Sequence, residues 1–436
     1  MSVLPPSRRG QRPPLTAPGG RRSGPAPPGH LKPTQRRQRA ARGAMLRQLV
    51  GAWDGGFRLI DADGGYVVGD CAGAATPSLV VVDPRFYTTV ALHGSLGAGD
   101  AYVRGDWHSD DLVALMRVLA RNLGSLAEIE RPWSAAVQRA WRLGANLIPR
   151  TRSRSRSHIA AHYDLSNEFF AQFLDPTMTY SSGVFESDHA TLQQASLAKY
   201  ERLARSLQLG PSDRVVEIGC GWGGFAEFAA TRFGCHVTGV TISTAQFEYA
   251  QRRIAAAKLT DRVDIRLCDY RDLTGRFDKL VSIEMIEAIG HGQLPTFFGK
   301  CCELLQPRGL MGLQAITIPD QRYESYRRGV DFIQKYIFPS GHLPSIGAMA
   351  AAVARATDLR WVHHEAFAEH YGRTLLAWRA AFLAAEARIA ALGFDASFRR
   401  AWDYYFCSCA GAFFERQISV GQFVLARPAA RGDLAS

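Results

Sequence analysis

Residues 214–225 read Arg-Val-Val-Glu-Ile-Gly-Cys-Gly-Trp-Gly-Gly-Phe, a short apolar run, then four glycines in six residues, then an aromatic that opens a helical pattern. This is a buried strand running into a tight turn and a helix. Glycine alone lets a backbone take positive φ there and approach a nucleotide closely. The segments after it keep the same alphabet. Strand patterns at 236–240, 263–267, 279–283 and 310–318 alternate with helical patterns at 225–233, 245–257 and 295–304. Strands separated by helices of this length pack as a parallel sheet covered on both faces. The predicted fold class is therefore α/β, a doubly wound, mostly parallel Rossmann-like sheet with helical cover. Beyond Pro319 the alternation stops, and aromatic-rich segments and helices are expected to cover the sheet's active edge.

The glycine loop by itself suits several nucleotides, since Gly219, Gly221 and Gly224 also fit G-x-G-x-x-G. A dinucleotide site wants an acid at the end of the second strand for the ribose hydroxyl. Here that strand ends Gly-Val-Thr-Ile-Ser at 239–243, without a carboxylate. No Lys-Ser/Thr pair follows the glycines, so a P-loop is excluded. Methyltransferase loops instead carry an acid on the first strand, and Glu217 stands there. The reading is an S-adenosylmethionine site with Glu217, Gly219, Gly221 and Gly223 among its contacts. Asp269 and Tyr270, closing the third strand, suit the adenine amino group and ring. An N-cap and a core aromatic would look the same.

Upstream, residues 45–125 show short alternating segments at 57–60, 66–68 and 79–82 and a helical pattern at 112–119, a small N-terminal α+β domain. Within it 97–103 (Gly-Ala-Gly-Asp-Ala-Tyr-Val) reads as a turn. A helix over 126–148 and a basic, serine-rich linker at 149–157 lead to the catalytic domain, 158–436. Residues 1–44 are rich in Pro, Arg and Gly with almost nothing to bury, and are expected to be disordered. Met45 is an alternative start. The formal net charge of +12 attracts polyanions, nucleic acid or an anionic membrane face. Eight scattered cysteines without C-x-x-C spacing read as reduced thiols in a cytoplasmic protein, with no metal cluster. No apolar run approaches the ~18 residues of a membrane span.

From His162 to Gln422 the chain resembles the cyclopropane-fatty-acyl-phospholipid synthases and their mycolic-acid-modifying relatives. The motifs are HYDLSNEFF (162–170), LDPTMTYSS (174–182), VVEIGCGWGGF (215–225), GVTIS (239–243), DYRDL (269–273), YIFPSGHLPS (336–345) and CAGAFFER (409–416). The resemblance implies methyl transfer from S-adenosylmethionine to a cis double bond of a membrane phospholipid, with a bound bicarbonate as base. It carries cofactor contacts to Tyr180, Ser181, Gly219, Gly221, Ile242, Gln246, Tyr270 and Arg271. It carries bicarbonate contacts to Glu287, Tyr371 and the backbone of Ile316, and a catalytic or packing role to Cys409. It also picks out Tyr336 and Phe338 among the aromatics of an apolar acyl pocket.

Three positions depart from the family pattern. Ser182 stands for a cysteine, Gln314 for a histidine beside the anion, and Ala288 for the histidine of an FEH triplet. Serine and glutamine hydrogen-bond an anion, but neither carries the histidine's charge or relays its proton. The leading expectation is a cyclopropane synthase working at the inner membrane face. The alternative is a methyltransferase whose product is a methyl- or methylene-branched chain, as in the tuberculostearic-acid type. A nucleic-acid methyltransferase is set aside, because neither an N/D-P-P-Y/F motif nor an RNA-binding domain is present. Monomer and homodimer are both open.

Overall fold

The computed structural model describes residues 32–51, 53–71, 76–124, 126 and 165–431. Its first helix, α1 (Pro33–Gln48), falls partly in the segment expected to be disordered. Composition offers α1 little to bury, but Arg42 ties it down, donating to Asp61 at 2.6 Å and to the Tyr66 hydroxyl at 2.6 Å. Residues 1–31 lie outside the described residues, as do the helix and linker expected over 126–157, apart from Leu126, and the start of the first family motif.

Strands β1 (Gly56–Asp61), β2 (Gly64–Gly69), β3 (Ser78–Val81) and β4 (Trp107–His108) form a sheet in the order β2-β1-β3-β4. Between β3 and β4 runs α2 (Arg85–Arg104), and α3 (Leu112–Arg121) follows, capped by Asp111. The segment read as a turn at 97–103 is helical, lying inside α2. Its glycines serve close packing instead. A Cβ on Gly97 would come within 2.3 Å of the Thr89 carbonyl, and one on Gly99 within 2.3 Å of the Phe332 ring.

The catalytic half begins with α4 (Asn167–Phe170) and α5 (Leu192–Ser206), the latter opened by Thr191 in a capping box with Gln194. Then strands and helices alternate as expected: β5 (Arg214–Ile218), α6 (Gly224–Phe233), β6 (His236–Thr241), α7 (Thr244–Ala256), β7 (Val263–Leu267), β8 (Phe277–Ile283), α8 (Leu294–Leu304) and β9 (Leu305–Thr317). After α9 (Asp320–Tyr326), α10 (Phe332–Tyr336) and α11 (Ile346–Ala356), two further strands return to the sheet. These are β10 (Arg360–Ala366) and, beyond α12 (Ala368–Ala384), α13 (Glu386–Ala391) and α14 (Ala396–Phe414), β11 (Ser419–Ala426). Neither strand is singled out among the segments and helices expected after Pro319. The two strands pair antiparallel with each other, and β11 also runs antiparallel to β9, so they lack the strand–helix–strand rhythm that marks the rest.

The sheet order is β10-β11-β9-β8-β5-β6-β7, with β9-β8-β5-β6-β7 all parallel. Chain order reverses between β5 and β8, and ligands in open α/β sheets bind at the carboxyl ends of the strands at such a point. The N-terminal unit does not keep a core of its own. Tyr102 and Trp107 pack on Tyr404 of α14, ring centroids 5.4 and 6.4 Å apart, and Arg400 donates to the Tyr102 carbonyl at 2.6 Å. One apolar cluster runs from β1 through α2 and α3 into α12 and α14.

Candidate active site

The glycine loop lies at the switch point. The Gly219 and Cys220 amides both donate to the Val240 carbonyl, at 3.0 and 2.9 Å, fastening the loop across to β6. Gly219, Gly221 and Gly223 have φ of +83°, +53° and +81°, a region that costs an L side chain roughly 1–2 kcal/mol. A Cβ on Gly219 would meet Met285 at 2.6 Å, whereas one on Gly221 would project into open space, the space a ligand's backbone-hugging edge requires. Beneath the loop, Glu217 is 3% exposed and its Oε2 has no hydrogen-bond partner. Burial pushes its carboxyl up to about 8, against the pull of Lys199. An orphaned buried oxygen under an open glycine cradle fits a polar ligand such as S-adenosylmethionine.

The other expected cofactor residues ring the same end of the sheet. Ile242 is half-buried just past β6, and Gln246, in the first turn of α7, accepts from Thr241 Oγ1 at 2.9 Å. Asp269 caps a single 3-10 turn, and its Oδ1 accepts from the Arg271 amide and Nε at 3.0 and 2.9 Å. The Tyr270 ring packs edge-on against Phe297 at 5.7 Å. Asp269 and Tyr270 thus show the cap-and-packing arrangement that the sequence left open. The Tyr180 ring lies 5.0 Å from Trp378, 5.2 Å from Phe170 and 6.1 Å from Phe338, and its hydroxyl meets that of Tyr405 at 3.2 Å. Phe338 therefore joins an aromatic wall beside the loop. Tyr336 does not; its hydroxyl donates to Asp100 of α2 at 2.9 Å, making it part of the joint with the N-terminal unit.

Next to that wall is a buried cluster of acids whose centre, Glu284, the sequence reading missed. Glu284 follows β8 with φ +49°, unusual for a residue with a side chain. Its Oε1 accepts from the Ser182 amide at 2.9 Å and from Gln314 Nε2 at 2.7 Å, and its Oε2 from the Tyr371 hydroxyl at 2.8 Å. Gln314 is held in turn by Gln422, whose Nε2 donates to Gln314 Oε1 at 3.0 Å. Ser182 contributes its backbone, since its own hydroxyl donates to the Gly183 carbonyl. Glu287 stands three residues on; its Oε1 accepts from the Ile316 amide at 2.6 Å and its Oε2 is buried without a partner.

Burial pushes both carboxyls up, Glu287 to about 8 with a further push from the charge on Glu284. Glu284 has three donors and feels Lys199, whereas Glu287 has fewer, so the negative charge of the pair settles on Glu284. Lys199 is fully buried on α5, donates to Ser181 Oγ, and is pushed down to about 8 by desolvation. Tyr371 is raised well above its ordinary value by burial and by Glu284, so it stays a phenol.

Cys409, on α14, is outside this cluster. Burial and nearby Asp331 push its thiol far up, the state of a packing residue rather than a nucleophile. Ala288 ends the short turn that carries Glu287. Glu284 had a legible signal, an acid at the carboxyl end of a parallel strand three residues before Glu287. Lys199 and Gln422 had none, since each meets its partners only through the fold.

The model of the mycolic acid cyclopropane synthetase family matches residues 150–423. The chain belongs to that family. It is 38% identical over 373 residues to the tuberculostearic acid methyltransferase UfaA1 of Mycobacterium tuberculosis, covering 83% of this chain and 87% of that one. It is 36% identical over 363 residues to the cyclopropane-fatty-acyl-phospholipid synthase of Escherichia coli K12, covering 83% and 90%. Among solved structures, the mycolic acid cyclopropane synthase CmaA1 complexed with SAH and CTAB superposes with a TM-score of 0.59 at 32% identity, over 62% of this chain and 98% of that one. The protein is an S-adenosylmethionine-dependent methyltransferase of the cyclopropane synthase and fatty acid methyltransferase group.

Proposed function

We propose that this enzyme adds a methyl carbon to the cis double bond of unsaturated acyl chains in membrane phospholipids and closes a cyclopropane ring. The observation that carries the reading is the juxtaposition of three things at one end of the sheet: an open glycine cradle, an aromatic wall around Tyr180, and a buried carboxylate cluster around Glu284. Bound at the loop, S-adenosylmethionine supplies an electrophilic sulfonium methyl. Glu217, Gly219, Gly221, Gly223, Tyr180, Ser181, Ile242, Gln246, Asp269, Tyr270 and Arg271 are the residues proposed to hold it. An alkene is a weak nucleophile, so the chain's own contribution is to align it in a dry pocket. The ring faces of Tyr180, Trp378, Phe338 and Tyr405 suit both an acyl chain and a carbocation. The buried anion beside them offsets the developing positive charge.

The resemblance also implies bicarbonate as base. The groups it would need are already engaged. Ser182, Gln314 and Tyr371 all donate to Glu284, and Ile316 donates to Glu287. The residues present therefore do not fit a separate bicarbonate ion.

A second reading, a methyl- or methylene-branched product, is favoured by the 38% identity to UfaA1 and by Ser182, Gln314 and Ala288. Both products add the methyl first. Incubation with labelled S-adenosylmethionine and unsaturated phospholipid should put label into acyl chains, and NMR or chain cleavage should show a ring. A methylene or methyl branch on an open chain would decide for the second reading. No label in lipid would remove both. Among the described residues no helix is long and apolar enough to cross a membrane. The net charge of +12 supports peripheral binding to the anionic cytoplasmic face.

A further inference from the structure

We infer that the side chain of Glu284 is this enzyme's built-in base, lodged where a bound bicarbonate would otherwise sit. The inference rests on the methyl-transfer reading above. Tyr371, which the family resemblance assigns to the anion, and Ser182 and Gln314, two of the positions that depart from the family pattern, converge on the two Glu284 oxygens at 2.8, 2.9 and 2.7 Å. Donors gathered around one carboxylate define an anion site, and here the anion is covalently part of the chain. Gln314 is fixed by Gln422 so that its amide hydrogens point at Glu284. A histidine at that position presents one N–H; glutamine's amide bridges Glu284 and the Ser182 carbonyl, 3.2 Å away. The departures at 182 and 314 thus belong to one rearrangement, a site rebuilt around a glutamate rather than stripped of its base. The left-handed backbone at Glu284, φ +49°, is a strained conformation for a residue with a Cβ, of the kind found where function fixes a side chain's aim.

The step balances as follows. The alkene's π pair forms one C–C bond to the incoming methyl as the S–C bond breaks, leaving a carbocation on the acyl chain. A C–H bond of that methyl then breaks. Its electron pair forms the second C–C bond, closing the ring, and the proton goes to a Glu284 oxygen. The resulting acid loses its proton to water on product release. Glu287, protonated beside it, keeps the pair at a single negative charge, and buried Lys199 balances that charge.

The test compares the parent with Glu284→Gln and Glu284→Gly. Glycine takes φ +49° without strain and vacates the anion site; glutamine fills it with a group that cannot accept the proton. The parent should turn over equally, within about twofold, in carbon-dioxide-depleted buffer and with added bicarbonate. E284Q should lose about 10²- to 10⁴-fold in turnover, with no recovery on adding bicarbonate. E284G should show a similar loss and regain at least tenfold with bicarbonate or formate. Without cofactor, ¹³C NMR should detect labelled bicarbonate bound to E284G and not to the parent. A parent that needs bicarbonate, or binds it in the NMR experiment, overturns the inference; so does E284Q at near-parental rate. If the parent labels no lipid, the methyl-transfer reading fails instead, while the NMR comparison still decides what occupies the site. Should either variant misfold, the two parent measurements stand.

Discussion

Glu287 illustrates what a buried carboxyl does to stability. Its folded value, about 8, lies above the ordinary 4.5, chiefly through burial. Below pH 4.5 folded and unfolded chains both hold the proton, and burying the neutral acid carries no ionisation penalty. Between 4.5 and 8 the unfolded chain sheds a proton that the folded one retains, so stability falls as pH rises. Above about 8 the penalty is complete. Glu287→Gln cannot ionise and keeps an acceptor for the Ile316 amide. Its melting temperature should match the parent's near pH 4.5 and exceed it by pH 8. A difference that does not change with pH would refute the assignment. Lys199 opposes the same charges, and Lys199→Met should shift the acidic limb of the pH–rate profile upward, because Glu284 loses the cation that favours its charged form. An unmoved limb would mean that Lys199 does not set the charge on Glu284.

At the scale of elements, glycine had two meanings that look alike as text. In 219–224 it makes a turn, because positive φ is required there. In 97–103 it lies within α2, where it removes bulk so that the helix can meet Phe332. The composition is similar, and only the neighbour across the gap distinguishes them. Gly99→Val should therefore destabilise the protein by about 1–3 kcal/mol, the range for overpacking a tight contact. Gly65→Ala, with nothing within 4 Å of the new Cβ, should stay within roughly 0.5 kcal/mol. Denaturant melts would separate the two, and equal effects would refute the packing argument. Most of the parallel strands were legible because they are short runs rich in Val, Ile and Leu set between helical patterns. β10 and β11 were not, since β10 is an edge strand reading Arg-Trp-Val-His-His-Glu-Ala and the two are separated by three helices.

For the whole molecule, α14 is the member that joins the halves, contacting α12 on one side and α2 and α3 on the other. The N-terminal unit is thus held to the catalytic half by a common apolar core, stiffened by the Tyr102–Asp403 hydrogen bond at 2.7 Å and Lys335–Asp100 at 2.7 Å. At the same scale, the +12 charge predicts binding to anionic lipid vesicles that weakens as salt rises from about 50 to 500 mM, as screening shortens the Debye length. Sedimentation with vesicles would read this, and salt-independent binding would remove the electrostatic account.

The sequence by itself determined the parallel core, the glycine turn and its methyl-donor ligand, and most of the residues that gather at the switch point. These depend on local periodicity and on motifs a few residues long. The tertiary structure alone decided what those residues surround. Ser182, Gln314 and Tyr371 are far apart in the chain, and their donors become an anion site only when β8, β9 and α12 bring them around one carboxylate. That carboxylate, Glu284, reads in sequence as one more acid after a strand. Burial and convergent hydrogen bonds, which no local pattern encodes, make it the centre of the site.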